Sequence, residues 1–325
     1  MVDIRDIEAA ADRLAGISVR TPLLQNHALD EVVGGKVLIK PECLQVTGSF
    51  KIRGAYNFLS QLTPDEAAKG VVAFSSGNHA QGVAAAGSLL GVRTAIVMPE
   101  DAPRAKLENT RRLGGEVITY DRYTGDREAL ARQIAAERGA VVVPSYDHDF
   151  IIAGQGTVGL EITAQCAEIG VEPDHVLVCC GGGGLIAGSA TALKARWPNV
   201  SVHSVEPEGF DDTARSLLSG ERERIDGSAR SICDALQAHS PGKLTFAINK
   251  RLLDEGLVVT DAQVREAIRF AFRNLKLVAE PGGAVALAAV LSGKVDTRGK
   301  TTVVVISGGN VDGEIFAEIQ REASG

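Results

Sequence analysis

The sequence predicts an α/β protein built as two open, parallel-sheet lobes with helices on both faces. Short apolar runs alternate with longer helical segments, the signature of parallel strands covered by helices. The alternation comes in two series, one over residues 70–147 and one beginning near Ile151. Several runs end in polar, glycine-rich turns, namely Ser75–Gly82, Gly181–Gly184 and Ser307–Asn310. Ligands of open α/β sheets bind at the carboxyl ends of strands, so these turns point to one shared crevice.

In order, residues 3–15 read as a helix stopped at Gly16, and 36–40 as a strand. A segment bracketed by Gly48 and Gly54 then leads into a helix reaching about Leu62. Strand 71–74, a helix of small residues ending near Gly91, strand 94–98, helix 103–113, strand 116–120, helix 126–138 and strand 141–143 complete the first series. The second series opens with a helix through Ala153–Thr157 to about Ile169. Strand 176–180, a helix to about Trp197 and strand 201–205 follow, and 208–230 is polar and charged. Thr260 and Gln263 have capping-box spacing at the start of helix 262–274, a small-residue helix follows Glu280-Pro281, and 301–306 is the last strand. No repeat or low-complexity linker marks a boundary. The two series place a larger domain at 1–69 plus 148–325 and a smaller one at 70–147.

A length of 325 residues allows two proper cores. The formal charge of −7 and the lack of basic runs argue against a nucleic-acid partner. The N-terminus lacks an apolar signal core, and no run of about 18 apolar residues suggests a membrane span. The five cysteines lack CxxC spacing and read as reduced thiols of a cytoplasmic protein, and the six histidines lack metal spacing.

The glycines 181–184, between a strand and a helix, let several backbone N–H groups face one anion, and a phosphate suits them. The same loop satisfies GxGxxA through Gly182, Gly184 and Ala187, with Glu206 ending the next strand, so a dinucleotide site is the rival reading. That rival leaves Lys51 and Ser75–Gly82 unexplained. Lys51 is either a solvated surface lysine or an amine nucleophile that forms an imine with a carbonyl cofactor. A phosphate loop, such a lysine and a polar crevice together imply pyridoxal 5′-phosphate.

The set Ser49–Ala55, Ser75–Ala80, Ala153–Thr157, Gly181–Gly184 and Ser307–Asn310 resembles the fold-type II pyridoxal phosphate enzymes, whose fold is tryptophan synthase β-like. Within them it resembles the threonine/serine dehydratase and serine racemase family, over nearly the whole chain and in the family's order. The resemblance implies that Lys51 carries the cofactor, Phe50 lies against its ring and Asn78 bonds the 3-hydroxyl. It implies phosphate contacts from Gly181, Gly182, Gly183, Gly184 and Leu185, and a Ser307 hydroxyl facing the pyridine nitrogen. Ser75, Gly77 and His79 would offer backbone groups to the substrate carboxylate. Taken singly, Phe50 also reads as core, and Ser75 and His79 as helix-start residues.

Ser76 matches the serine that donates a proton from the second face in racemases, or it is a serine beside a helix without chemistry. Arg127 would reach a second substrate carboxylate, as in the racemase and hydroxyaspartate branch, or is a solvated helix arginine. Pro144–Asp147 looks more like a threonine dehydratase. Glu206, the Phe210 carbonyl and Asp212 match the family's divalent-cation segment and suit Mg²⁺ or Ca²⁺; alone, the stretch is an acidic loop. No regulatory segment is expected after Asp312. The activity implied is β-elimination from L-threonine or L-serine to a 2-oxo acid and ammonia, with serine racemisation or hydroxyaspartate dehydration as alternatives. The expected partner is a small β-hydroxy amino acid, and the expected assembly a homodimer.

Overall fold

The computed structural model describes residues 1–322 except 103 and 122. The first part of the chain runs α1 (Ile4–Leu14), β1 (Leu24–Gln25), α2 (His27–Val33), β2 (Lys36–Pro41), α3 (Lys51–Leu59) and α4 (Pro64–Lys69). It continues with β3 (Val71–Phe74), α5 (Asn78–Leu90), β4 (Thr94–Pro99), α6 (Arg104–Arg112), β5 (Glu116–Tyr120), α7 (Arg127–Arg138) and β6 (Val141–Val142). The second half is α8 (Asp149–Glu168), β7 (His175–Cys179), α9 (Gly184–Arg196), β8 (Ser201–Pro207), α10 (Asp212–Ser219) and α11 (Lys243–Leu252). It ends with β9 (Glu255–Val259), α12 (Asp261–Phe270), α13 (Pro281–Leu291), β10 (Thr301–Ile306) and α14 (Gly313–Arg321). The expected start of α6 at position 103 lies outside the described residues.

The strands form two sheets, ordered β1-β2-β10-β7-β8-β9 and β5-β4-β3-β6. All strand pairs are parallel except β1 with β2. The central strands are apolar on both faces because helices cover both: Val37–Ile39, Val176–Val178 and Val303–Ile306 are almost fully buried. The six-stranded sheet has its own core, and Ile52, Ala55 and Phe58 of α3 pack with Val71, Val83 and Ile96 in that of the smaller sheet.

Local chemistry sets the helix starts. Asp3, Thr63 and Thr260 each close a capping box. Helix α12 stops at Phe270, four residues earlier than expected, and continues as a π-turn over Ala271–Leu275. Helices α8 and α9 cross at backbone distance: a Cβ on Gly156 would lie 2.9 Å from the Gly188 carbonyl oxygen, and one on Gly159 2.6 Å from that of Ser189. The first turn of α3 is fastened from below by buried charges. Arg53 donates to Glu42 at 2.7 and 2.9 Å and to Glu161 at 2.7 and 3.0 Å, and Lys40 reaches Glu161 at 2.6 Å. The Arg53, Glu42 and Lys40 side chains are fully buried, so each charge depends on the others.

Candidate active site

The crevice is built from four strand ends. β2 leads to Lys51, β3 to Ser75–Gly77, β7 to Gly181–Gly184 and β10 to Ser307. Short contacts weld two of these turns together. Phe50 N–H donates to the Ser307 carbonyl at 3.1 Å, and Gly309 N–H to that of Gly48 at 2.9 Å.

Lys51 opens α3 and is partly buried, with its Nζ donating to the Ser145 carbonyl at 2.9 Å. Burial lowers its amine to about 8, against the pull of Cys179 and Glu280. The reading of a lysine lying in bulk water is therefore set aside. Phe50 is buried in the larger core, and the Lys51 Nζ lies 5.1 Å from its ring centroid. Ser307 is buried and hydrogen-bonds the Cys179 thiol, which burial raises to about 11 despite that bond.

The glycine loop needs its composition. Gly183 has φ +93° and precedes the first turn of α9. A Cβ on Gly182 would run into the Tyr146 ring, and one on Gly184 would stand 2.6 Å from Gln155 Oε1. Thr245 Oγ1 of α11 donates to the Gly182 carbonyl at 2.7 Å. Leu185 points into the core.

At the β3 turn, Ser75 does not cap α5. Its Oγ accepts from Gly77 N–H at 3.1 Å, and Gly77 is the helix-preceding residue. Ser76 is half-buried beside it. Asn78 and His79 point inward. His79 Nε2 lies 3.2 Å from the Val143 carbonyl, and burial with the nearby Lys51 charge lowers its imidazole to about 3, so it is neutral. Asn78 is bonded at both ends, by Glu280 at 2.5 Å and Asn310 at 2.7 Å. Arg127 starts α7 after its Asp126 cap, with its guanidinium 5.9 Å from the Phe74 ring centroid.

The acidic pair lies behind the glycine loop. Glu206 accepts from Thr213 and Ala214 N–H at 2.9 and 2.7 Å. Both oxygens of Asp212 are buried without a partner. Burial raises Asp212 to about 7 and, with Asp212 beside it, raises Glu206 far above the usual carboxylate range. Among the described residues no group of three His, Cys, Asp or Glu side chains is placed to hold a metal. Of the expected oxygen ligands, the Asp212 oxygens are the ones left without a partner, and an unpartnered buried carboxylate suits a hard cation.

Residues brought together are therefore Lys51, Phe50, Asn78, His79, Ser307 and the glycine loop, with Ser75–Gly77 on the turn before Asn78 and Arg127 against Phe74 at the end of β3. Glu206, Phe210 and Asp212 stand apart. The sequence reading passed over Glu280, Gln155, Tyr146 and Cys179. A lone acid before Pro281 in an apolar stretch was the one signal available for Glu280.

Comparison decides the family. Residues 16–308 match the family model described as pyridoxal-phosphate dependent enzyme. The chain belongs to that family. It is 43% identical to an L-threo-3-hydroxyaspartate ammonia-lyase of Pseudomonas sp, over 97% of this chain and 98% of that one. It is 42% identical to the L-threonine ammonia-lyase of Thermotoga maritima, over 96% of this chain and 76% of that protein. The structure of maize serine racemase superposes with TM-score 0.92 at 38% identity, covering 98% of this chain and 96% of that one. The fold is thus the tryptophan synthase β-like one of fold-type II enzymes. The family's cofactor fits the residues present: a half-buried amine of lowered basicity, and a loop whose left-handed glycine and closely packed neighbours leave backbone N–H groups for an anion.

Proposed function

We propose that the chain is an ammonia-lyase that converts L-threonine and L-serine to a 2-oxo acid and ammonia. The observation that carries this reading is the Lys51 amine, held at about 8 against a polar crevice and therefore available as a base near neutral pH. Bound pyridoxal phosphate supplies an electron sink for negative charge at the substrate Cα. The chain's own groups do the rest. Gly181–Gly184 and Leu185 hold the phosphate through backbone N–H groups. Phe50 backs the ring, Asn78 bonds its 3-hydroxyl and the neutral Ser307 hydroxyl faces its nitrogen. The Ser75–His79 turn binds the substrate carboxylate. Lys51 takes the Cα proton, the β-hydroxyl would accept a proton from the cofactor phosphate or a nearby acid and leave as water, and the released enamine takes up water to give the oxo acid and ammonia. Glu206, Asp212 and the Phe210 carbonyl hold Mg²⁺ or Ca²⁺ as a structural support. Residues 70–147 act as the smaller lobe, and the assembly is a homodimer.

A panel of amino acids assayed for oxo acid, with and without Mg²⁺, tests the reading. Activity on threonine and serine that vanishes in Lys51→Ala is expected. No turnover of either, or an unchanged Lys51→Ala, ends it.

One observation favours a second reading. Arg127 stands 5.9 Å from the ring centroid of Phe74, the last residue of β3 before the Ser75–Gly77 turn, from where it would meet a second carboxylate, and the Pseudomonas relative is named for 3-hydroxyaspartate. On that reading kcat/KM is higher for L-threo-3-hydroxyaspartate than for threonine, and Arg127→Met erases the preference. Racemisation through Ser76 would instead produce D-serine, which chiral analysis of L-serine incubations detects.

A further inference from the structure

Glu280 has no part in the scheme above, yet it is buried inside the crevice with 4% of its surface exposed. It stands directly before Pro281 at the start of α13, and its side chain makes no capping bond and turns to other partners. Its Oε1 accepts from Nδ2 of Asn78 at 2.5 Å. Oδ1 of Asn78 in turn accepts from Asn310 Nδ2 at 2.7 Å, and Asn310 is anchored on the Thr47 carbonyl at 2.8 Å. A primary amide carries two N–H groups. With one given to Glu280 and the oxygen given to Asn310, the direction of the second N–H is fixed.

The space around Glu280 is shaped for it. A Cβ on Gly308 would collide with Oε1, and Glu280 N–H donates to the Gly308 carbonyl at 3.1 Å. The charged and titratable groups facing it are Asp234, Lys106 of α6, Lys51 of α3, and the Cys43 and Cys179 thiols. Lys106 and Asp234 pair with each other at 2.9 Å, so their fields at Glu280 partly cancel. Lys51 is then the cation whose charge Glu280 balances. Burial and Asp234 raise the Glu280 carboxyl to about 7, so it exchanges its proton in the same pH range as Lys51.

We propose that Glu280 is a positioning residue of this site: with Asn310 it clamps the Asn78 amide so that the free N–H faces the cofactor ring, and in the cofactor-bound resting state its charge opposes loss of the proton from the Lys51 nitrogen, which during turnover is free to act as the base. The inference rests on the pyridoxal phosphate reading.

The test uses the holoenzyme, with visible absorption followed from pH 6 to 10 and cofactor affinity measured for Glu280→Gln, Glu280→Ala and Asn310→Ala. The glutamine keeps an acceptor for Asn78 and loses the charge. Its affinity is expected within about threefold of the parent, while both alanine variants weaken about tenfold or more. The midpoint of the spectral pH transition is expected to fall by about one unit in Glu280→Gln and to stay put in Asn310→Ala. A glutamine variant with an unmoved midpoint, or one as weak as the alanine, overturns the proposal. A parent chain with no cofactor band overturns the reading beneath it as well, which a bound but unshifted cofactor does not.

Discussion

At the scale of single residues, the amine at position 51 owes its place to its neighbour two positions on. Arg53 forks between Glu42 and Glu161 below the first turn of α3. Removing it leaves buried acids without a counter-charge, so Arg53→Ala is expected to cost about 3–5 kcal/mol, read from urea midpoints. Lys51 itself makes a kinetic statement. The rate at which the chain takes up pyridoxal phosphate should rise with pH through about 8, where the amine loses its proton, and level off above it. A rise extending to the ordinary lysine value would show that burial does not tune this amine. Asn249 makes the opposite kind of statement. Both its amide atoms are buried beside Gly183 without partners. Asn249→Leu should therefore stabilise the cofactor-free chain, by about 1 kcal/mol, in thermal melts.

At the scale of elements, the glycine loop shows what could be read in advance. Four consecutive glycines between an apolar run and a helix announce a backbone made to approach something, and the turn stands where expected. Gly183→Ala places a side chain at φ +93° and should lose about 1–3 kcal/mol of stability and with it most cofactor affinity, measured by absorption titration. The apolar strands and small-residue helices were legible for the same reason: a parallel sheet buried on both faces has no polar alternation to obscure it. Helix α10 was hidden in the charged stretch 208–230 because its eight residues mix both characters. Helix α4 escaped although Thr63 and Glu66 spell a capping box. The function of Glu280 was invisible for a different reason. Its partner is 202 residues away, and no local pattern encodes a contact made only by the closed fold.

At the scale of the whole molecule, two sheets share one crevice, and polar contacts among the described residues bridge it, from Asn78 to Glu280 and Asn310 and from Lys106 to Asp234. Behind the crevice, Mg²⁺ or Ca²⁺ should raise the melting temperature of the parent chain and leave Asp212→Ala unmoved. At the opposite end of the larger sheet His175 Nδ1 lies 3.1 Å from His203 Nε2, with Lys300 Nζ 3.2 Å from His175 Nε2. Burial lowers both imidazoles, His203 to about 4. The unfolded chain binds these protons near 6.5 and the folded one does not, so stability is lost as pH falls from about 6.5 through 4. The loss should reach roughly 1–2 kcal/mol by pH 5 for His203 alone, and His203→Gln should flatten the curve of urea midpoint against pH. The crossing of α8 and α9 reaches further still. Gln155 and the carbonyl that receives Lys51 ride on, or just ahead of, a helix whose seat is cut to hydrogen-atom tolerance by Gly156, Gly159 and Gly188. A library randomised at those positions and sorted only for turnover should return glycine, although none of them ever meets a substrate.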